Sequence, residues 1–224
     1  MFDIVFISYN EPNAEANLFK LKERFPLVKH VHGVTGIHQA HIAAARRSFS
    51  PMFWVVDGDA DVLDTFNFDY KVVKEEYDIV HVWRSRNPIN GLEYGYGGVK
   101  LLPKLLTLKV DISTTDMTTN ISPRFKAMEE VSNITAFNTD PFSTWRSAFR
   151  ECCKLAVTNN AESNARLDIW CKLAEDVPYG FYAYTGALAG KVYGQKNASD
   201  KEALCKINDF TWLKDQMSLE KFQQ

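Results

Sequence analysis

FWVVDGDAD, residues 53–61, is the stretch whose reading decides the fold of this chain. Phe53 to Val56 are bulky or β-branched apolar residues in an unbroken run, the composition of a strand buried on both faces. The run enters three aspartates at alternating positions, Asp57, Asp59 and Asp61, and Gly58 permits a tight turn among them. Three carboxylates so close repel one another unless a cation relieves the charge. A buried strand ending in clustered acids fits an α/β sheet whose carboxyl-end loops form a ligand crevice.

The neighbouring sequence agrees. FDIVFIS, residues 2–8, reads as another buried strand, ended by the polar turn YNEPN. Leu18, Leu21 and Phe25, at spacings of three and four, predict a helix from Ala14 to Arg24. LVKHVHGV is a further strand, Thr35 and Gly36 open the helix IHQAHIAAARRSF, and DIVHVWRS at 78–85 is a fourth strand. The alternation predicts a mostly parallel central sheet flanked by helices, with the YNEPN and DGDAD turns side by side at its carboxyl edge.

Later segments are less regular. Residues 87–103, NPINGLEYGYGGVKLLP, read as an irregular glycine and aromatic loop with a short hairpin. ITAF near 134–137 reads as a short strand. Asp140-Pro141 is a helix start, a capping residue followed by proline, and the helix runs through WRSAFRECCKLA. A second helix is predicted over Glu162 to Ala174, then a small-residue helix after YGFYAY, and peripheral helix in the last 25 residues. The expected organisation is one domain over residues 1–224.

Composition narrows the class. Hydrophobic residues make up 46% and charged residues 24% of 224, a globular mixture, and a net charge of -2 gives no global field for nucleic acid. Cys152, Cys153, Cys171 and Cys205 include no CxxC pair. With no leader-like opening and no 18-residue apolar run, the expectation is a cytoplasmic protein with reduced thiols and no membrane partner. Oligomeric state leaves no signal in the sequence.

Three chemistries compete for the aspartates. An EF-hand loop requires glycine at its sixth position and glutamate at its twelfth, where this chain has Val62 and Phe68, so that reading fails. A metal-dependent phosphohydrolase would use Asp57 as nucleophile and Asp59 as acid; it needs a helper cation, and Asp61 adds repulsion. A carboxylate pair can instead hold Mn²⁺ or Mg²⁺ against a diphosphate, where the cation neutralises charge on the departing nucleotide. An acidic surface turn, within a non-catalytic nucleotide-binding or interaction module, is the remaining reading.

VFISYNEP at 5–12 together with FWVVDGDAD resembles the nucleotide-sugar-dependent glycosyltransferases of the GT-A fold. That resemblance implies a GT-A (Rossmann-like) sheet, a donor that is a UDP-sugar, and Mn²⁺ or Mg²⁺. It implies that Ser8, Tyr9, Asn10 and Glu11 line the base and ribose site. Asp57 and Asp59 become the D-x-D pair on metal and diphosphate, with Asp61 as a competing frame or supporting ligand. Arg46, in RRSF, would face the diphosphate. Residues 1–90 become the nucleotide-sugar half and 91–224 the acceptor-binding and C-terminal helical half. The small chain, with YGYGGVKLLP after the donor half, also looks like glycosyltransferases of large bacteriophages. This implies a hydroxyl acceptor on hydroxymethylated DNA bases, in the host cytoplasm. The family's later E-D followed by arginine is not matched, since Glu175-Asp176 precedes VPYG, and no histidine follows His81.

A catalytic base must then come from another carboxylate, and Asp140 and Asp176 are the candidates. Asp140 also reads as a helix cap; Asp176 reads as the end of a helix, where the dipole disfavours its charge. Arg146 and Arg150 share a helix face that suits phosphate, an acidic acceptor or solvent. The pairs His30/His32 and His38/His41 read as packing or exposed residues. Trp83, Tyr94 and Tyr96 read as a sugar platform or buried rings. Lys100, Lys104, Lys109, Arg124 and Lys126 form a loose basic run for DNA.

Overall fold

A computed structural model describes residues 1–95, 97–112 and 117–221. The chain forms two compact units, Met1–Asn87 with Glu93–Ala136, and Pro88–Leu92 with Phe137–Gln224.

The first unit carries the sheet. Its elements are β1 (Asp3–Ser8), α1 (Ala14–Arg24), β2 (Lys29–His32), α2 (Ile37–Arg47), β3 (Met52–Asp57), β4 (Ala60–Val62), β5 (Val80–Arg86), β6 (Glu93–Tyr94), β7 (Val99–Pro103), α3 (Lys104–Thr107), α4 (Met117–Ile121) and β8 (Phe125–Thr135). The strand order is β2-β1-β3-β7-β5-β8-β4, with β6 on β5. Five strands, β2, β1, β3, β5 and β8, run in one direction, and β7 runs against its neighbours β3 and β5. The fold is therefore a mixed α/β sheet with helices on its faces.

Two features depart from the sequence reading. VKLLP was expected inside an irregular loop but forms β7, an interior strand. Of the expected ITAF strand only Ile134 and Thr135 are strand, as the last residues of the eleven-residue β8.

Period-two alternation along β3 explains the unbroken apolar run. Phe53 and Val55 pack with Ile42, Ala44 and Ala45 of α2, while Trp54 and Val56 pack with Ala14 and Leu21 of α1. Trp54 is fully buried among Trp83, Phe68 and Phe66, with ring centroids 4.6, 5.2 and 5.8 Å away. Burying one such ring stabilises the fold by about 2–3 kcal/mol.

At the opposite end of the strands, Asp3 fastens the crossover that leads from α2 into β3. Its carboxylate accepts from the Lys29 ammonium, from the backbone N–H groups of Phe49 (2.6 Å) and Ser50 (2.9 Å), and from the Ser48 and Ser50 hydroxyls.

The second unit is helical: α5 (Pro141–Thr158), α6 (Ala161–Trp170), α7 (Gly180–Lys196), α8 (Lys201–Cys205) and α9 (Phe210–Lys221). Asp140 caps α5 by accepting from Ser143 N–H at 2.9 Å, and Pro141 fills the first turn. The glycines of α7 recur every four residues on the face towards α5. A Cβ at Gly186, Gly190 or Gly194 would lie 2.3, 2.2 or 2.5 Å from the carbonyl oxygens of Trp145, Phe149 and Cys153. Close backbone approach is the reason for small residues there. Helix α6 ends at Trp170, four residues earlier than expected. Among the described residues no helix is long and apolar enough to cross a membrane.

Candidate functional site

The carboxyl ends of β1, β2 and β3 meet at one edge, where Ser8 pairs with His32 and Ile7 with Asp57. A cavity of about 340 Å³ opens there, lined by Ser8, Tyr9, Asn10, Glu11, His30 and His32 among others. Ser8 Oγ lies 2.8 Å from His30 Nε2 and 2.9 Å from His32 Nδ1. A hydroxyl has one proton, so with both rings neutral it donates to one and accepts from the other. Burial, then the neighbouring His32, pushes the His30 pKa down.

Glu11 Oε2 accepts from Tyr9 N–H at 2.7 Å, which curls the turn back on itself. Gly58 sits against that turn: a Cβ there would be 2.8 Å from Glu11 Oε2 and 3.1 Å from Ser8 Cβ. The two polar turns therefore touch, through the one residue between Asp57 and Asp59 that lacks a side chain. The structure brings Ser8, Tyr9, Asn10, Glu11, Asp57 and Asp59 together at one edge.

Asp57 is held from two sides. Lys100 Nζ donates to both of its carboxylate oxygens, at 2.7 and 2.9 Å, and Asp57 N–H donates to Gly98 O at 2.9 Å. Lys100 is a β7 residue whose side chain is only 3% exposed. Its charge also bears on His41, whose pKa is pushed down to about 3 by burial first and by Lys100 second. Asp59 moves the other way, pushed up to about 7 by burial and then by the Asp57 and Glu11 carboxylates, against the opposing pull of Lys100. Glu11, Asp57 and Asp59 thus form one electrostatic cluster.

Supports that the sequence did not reveal hold this cluster. On α1, Asn17 donates to Gly58 O (3.0 Å), Lys20 to Asp61 (2.8 Å), and Arg24 to the carbonyls of Leu63 (2.9 Å) and Phe66 (2.8 Å). Spacings of three and four place these side chains on one helix face. On the other side, Asn133 Oδ1 accepts from Ser85 (2.8 Å) and Ser132 (2.9 Å), all three fully buried. Asn133 packs so tightly on Gly98 that a Cβ there would fall 2.6 Å from its amide nitrogen. That network fixes the carbonyl that receives Asp57 N–H.

Other expected residues fall elsewhere. Asp61 stands on β4 and its carboxylate pairs with Lys20. Arg46 is exposed in the last turn of α2, beside the start of β3. A crossover helix runs antiparallel to the strands it joins, so its C-terminal turn reaches the opposite edge from Asp57. Trp83 is in the aromatic core and Tyr94 is buried; Tyr96 lies outside the described residues. The basic run is dispersed into local contacts. Lys100 holds Asp57, Lys104 donates to Ser48 O, Arg124 pairs with Asp78, and Lys126 donates to Tyr70 Oη.

Asp140 and Asp176 belong to the second unit. Burial raises the Asp140 pKa, but hydrogen bonds from Ser143, Phe142 and Thr139 outweigh it and leave the carboxyl below its ordinary value. Asp176 is exposed in a turn beyond α6, so the expected conflict with a helix dipole does not arise.

Among the described residues, no three His, Cys, Asp or Glu side chains converge as a ready metal site. Asp59, its pKa raised by burial and then by the Asp57 and Glu11 carboxylates, is an oxygen donor that could meet a hard cation at this edge.

No protein-family model matches the chain, and no curated protein matches it in sequence. Among solved structures it is similar to the crystal structure of HddC from Yersinia pseudotuberculosis. Identity is 13%, over 59% of this chain and 92% of that one, with a TM-score of 0.38. A likeness at that level carries no argument about activity.

Proposed function

We propose that this chain is a metal-dependent glycosyltransferase of the GT-A kind, taking a UDP-sugar and transferring the sugar to a hydroxyl acceptor. The observation that carries the reading is the contact of Gly58 with Glu11 and Ser8, which sets the D-x-D turn directly against the cavity at the end of β1. In this reading the cavity takes the nucleoside, with Ser8, His30 and His32 offering hydrogen bonds and Tyr9 and Asn10 at its rim. Asp59 would hold Mn²⁺ or Mg²⁺, and the cation would neutralise charge developing on the diphosphate leaving group. Asp57, fixed by Lys100 and Gly98, sets the geometry of the turn. For the proton lost by the acceptor we favour Asp176, since the Asp140 carboxylate is committed to the cap of α5.

The test is thermal stabilisation by UDP with Mn²⁺, compared with GDP, CDP and phosphate, in wild type and Asp59→Ala. Stabilisation by UDP that the substitution abolishes is expected; no nucleoside-diphosphate response, or one unchanged by Asp59→Ala, sinks the reading. Incubation with hydroxymethylated and plain DNA, each with labelled UDP-sugars, tests the modified-base acceptor.

One observation favours a second reading. Aspartyl-phosphate chemistry needs a helper cation, and Lys100 stands on Asp57. Stabilisation chiefly by phosphate with Mg²⁺, indifferent to the base, selects that phosphohydrolase.

A further inference from the structure

Helix α7 has two apolar faces, and α5 covers one of them. Ala183, Gly186, Ala187, Gly190 and Gly194 are buried on that covered face. On the other side Phe181 is 52% exposed, Leu188 38% and Val192 63%. Thr185 lies between them, its hydroxyl already donated to Tyr182 O at 3.3 Å. Successive spacings of four, three and four put 181, 185, 188 and 192 in one line along the helix. These are the seam positions of a helix pair, with β-branched Thr185 and Val192 at a and Phe181 and Leu188 at d. Single exposed apolar residues are ordinary, but an aligned row of large ones marks a contact surface. Read as sequence, the helix is apolar nearly all round, and only the observed exposure separates its two faces.

Charge selects the occupant. The row itself is uncharged, α7 has no acidic residue, and its lysines, Lys191 and Lys196, flank the row on opposite sides. Both lysines lie in the C-terminal half of the helix, whereas the exposed Glu175 and Asp176 come just before its N-terminus. A parallel pair of α7 helices would set lysine against lysine. An antiparallel pair brings the lysines of each helix to the uncharged half and acidic turn of the other, with the helix dipoles opposed. A two-fold axis through the midpoint of the row places Phe181 level with the partner's Val192 and Thr185 level with the partner's Leu188. The same operation carries Lys196 past the partner's Asp176. A membrane fits this face less well, because Glu175 and Asp176 would be pressed against its anionic lipids.

We infer that the outer face of α7 is a docking surface for a second copy of this chain, the two helices packing antiparallel about that axis. The inference stands apart from the glycosyltransferase reading.

The experiment begins with sedimentation equilibrium over roughly 1–100 µM protein, where a monomer–dimer equilibrium is expected, since one helix pair makes a small interface. Leu188→Asp should abolish the dimer while leaving the helical circular dichroism unchanged. Register is tested by cysteine pairs under oxidised glutathione, with the exposed Cys205 changed to serine. The double variant Phe181→Cys/Val192→Cys should give a covalent dimer on a denaturing gel. Eleven residues of helix separate the two positions by about 16 Å, too far for a disulfide within one chain. Like positions on the two copies are equally far apart in the antiparallel register, so each single variant should stay unlinked. Covalent dimers from either single variant would mean parallel packing and overturn the inference. So would a dimer that survives Leu188→Asp, or a monomer at every concentration, including one that binds vesicles of phosphatidylserine and phosphatidylcholine.

Discussion

Lys100 donates to both carboxylate oxygens of Asp57, across a sequence separation of 43 residues. The lysine is buried and the aspartate is about a third exposed, at 32%. A buried ion pair adds little net stability, but removing one partner strands the other charge. Here the stranded group would stand beside Asp59 and Glu11. Lys100→Met keeps the aliphatic stem and removes the charge. The expected loss is about 2–3 kcal/mol, below the ~3–5 of a fully buried pair because Asp57 reaches water. Urea unfolding measures it. With Mn²⁺ present the variant should recover more stability than wild type gains, since the added cation meets a more negative cluster. Equal Mn²⁺ response in both proteins would remove the metal from this site.

Acid removes two contributions to stability at different pH, and Asp59 opposes the upper one, since its pKa of about 7 makes the folded chain bind the extra proton between about pH 4 and 7. The His41 pKa is about 3 in the fold against about 6.5 unfolded, so between these values the unfolded chain binds the extra proton. Its contribution is complete above pH 6.5 and declines as pH falls, by up to about 1.4 kcal/mol per unit. Asp3 follows at lower pH. Burial alone would raise its pKa, but Lys29, Phe49 and Ser50 reverse that and hold it well below the carboxylate range. Its contribution is present above about pH 4, the unfolded value, and is lost below it. Denaturant midpoints between pH 3 and 7 test both contributions. His41→Leu should leave the Asp59 term unopposed, so that stability rises as pH falls from 7 towards 4, and Asp3→Asn should remove the lower loss at a cost of about 2 kcal/mol at neutral pH.

The first 57 residues were legible because burial on both faces leaves unbroken apolar strands, and α1 shows its period plainly. β7 was hidden for the opposite reason. Its approach is glycine-rich, and it carries a lysine whose burial makes sense only once Asp57 is beside it. β8 was hidden because its first half, with Glu129 and Glu130, is solvated and carries no core pattern. At the site, the acids and the YNEPN turn could be read from strand ends. Asn17, Arg24 and Asn133 could not, since they act on backbone carbonyls, on a glycine, or on other buried polar groups distant in sequence. Motif order alone does not place Arg46, because the direction of the crossover helix carries its last turn to the edge opposite Asp57.

Gly190→Ala should destabilise the protein even though alanine is the better helix former. The substitution gains about 1 kcal/mol of helix propensity. It also drives a Cβ to 2.2 Å from Phe149 O, and a helix backbone cannot yield as a flexible side chain does. Overpacking of this kind costs ~1–3 kcal/mol or more, so a net loss of about 2 kcal/mol is expected in urea. A neutral or stabilising result would mean that α5 and α7 stand further apart than described.

Asp140 and Asp176 can be separated because their structural roles differ. Asp140→Ala removes a cap and should cost about 1 kcal/mol, whereas Asp140→Asn keeps an equally good cap and should leave stability unchanged. Asparagine cannot act as a base, so the same Asp140→Asn protein asks whether the carboxylate does anything beyond capping. We expect its kcat to stay near wild type. Asp176 is exposed, and Asp176→Asn should change stability by less than about 0.5 kcal/mol. If Asp176 takes the acceptor's proton, that substitution lowers kcat by about 10²–10⁴-fold, with UDP and Mn²⁺ stabilisation retained. The reverse pattern, with Asp140→Asn inactive yet fully stable, transfers the role of base to the capping residue. Retained activity in both variants takes proton removal away from this pair.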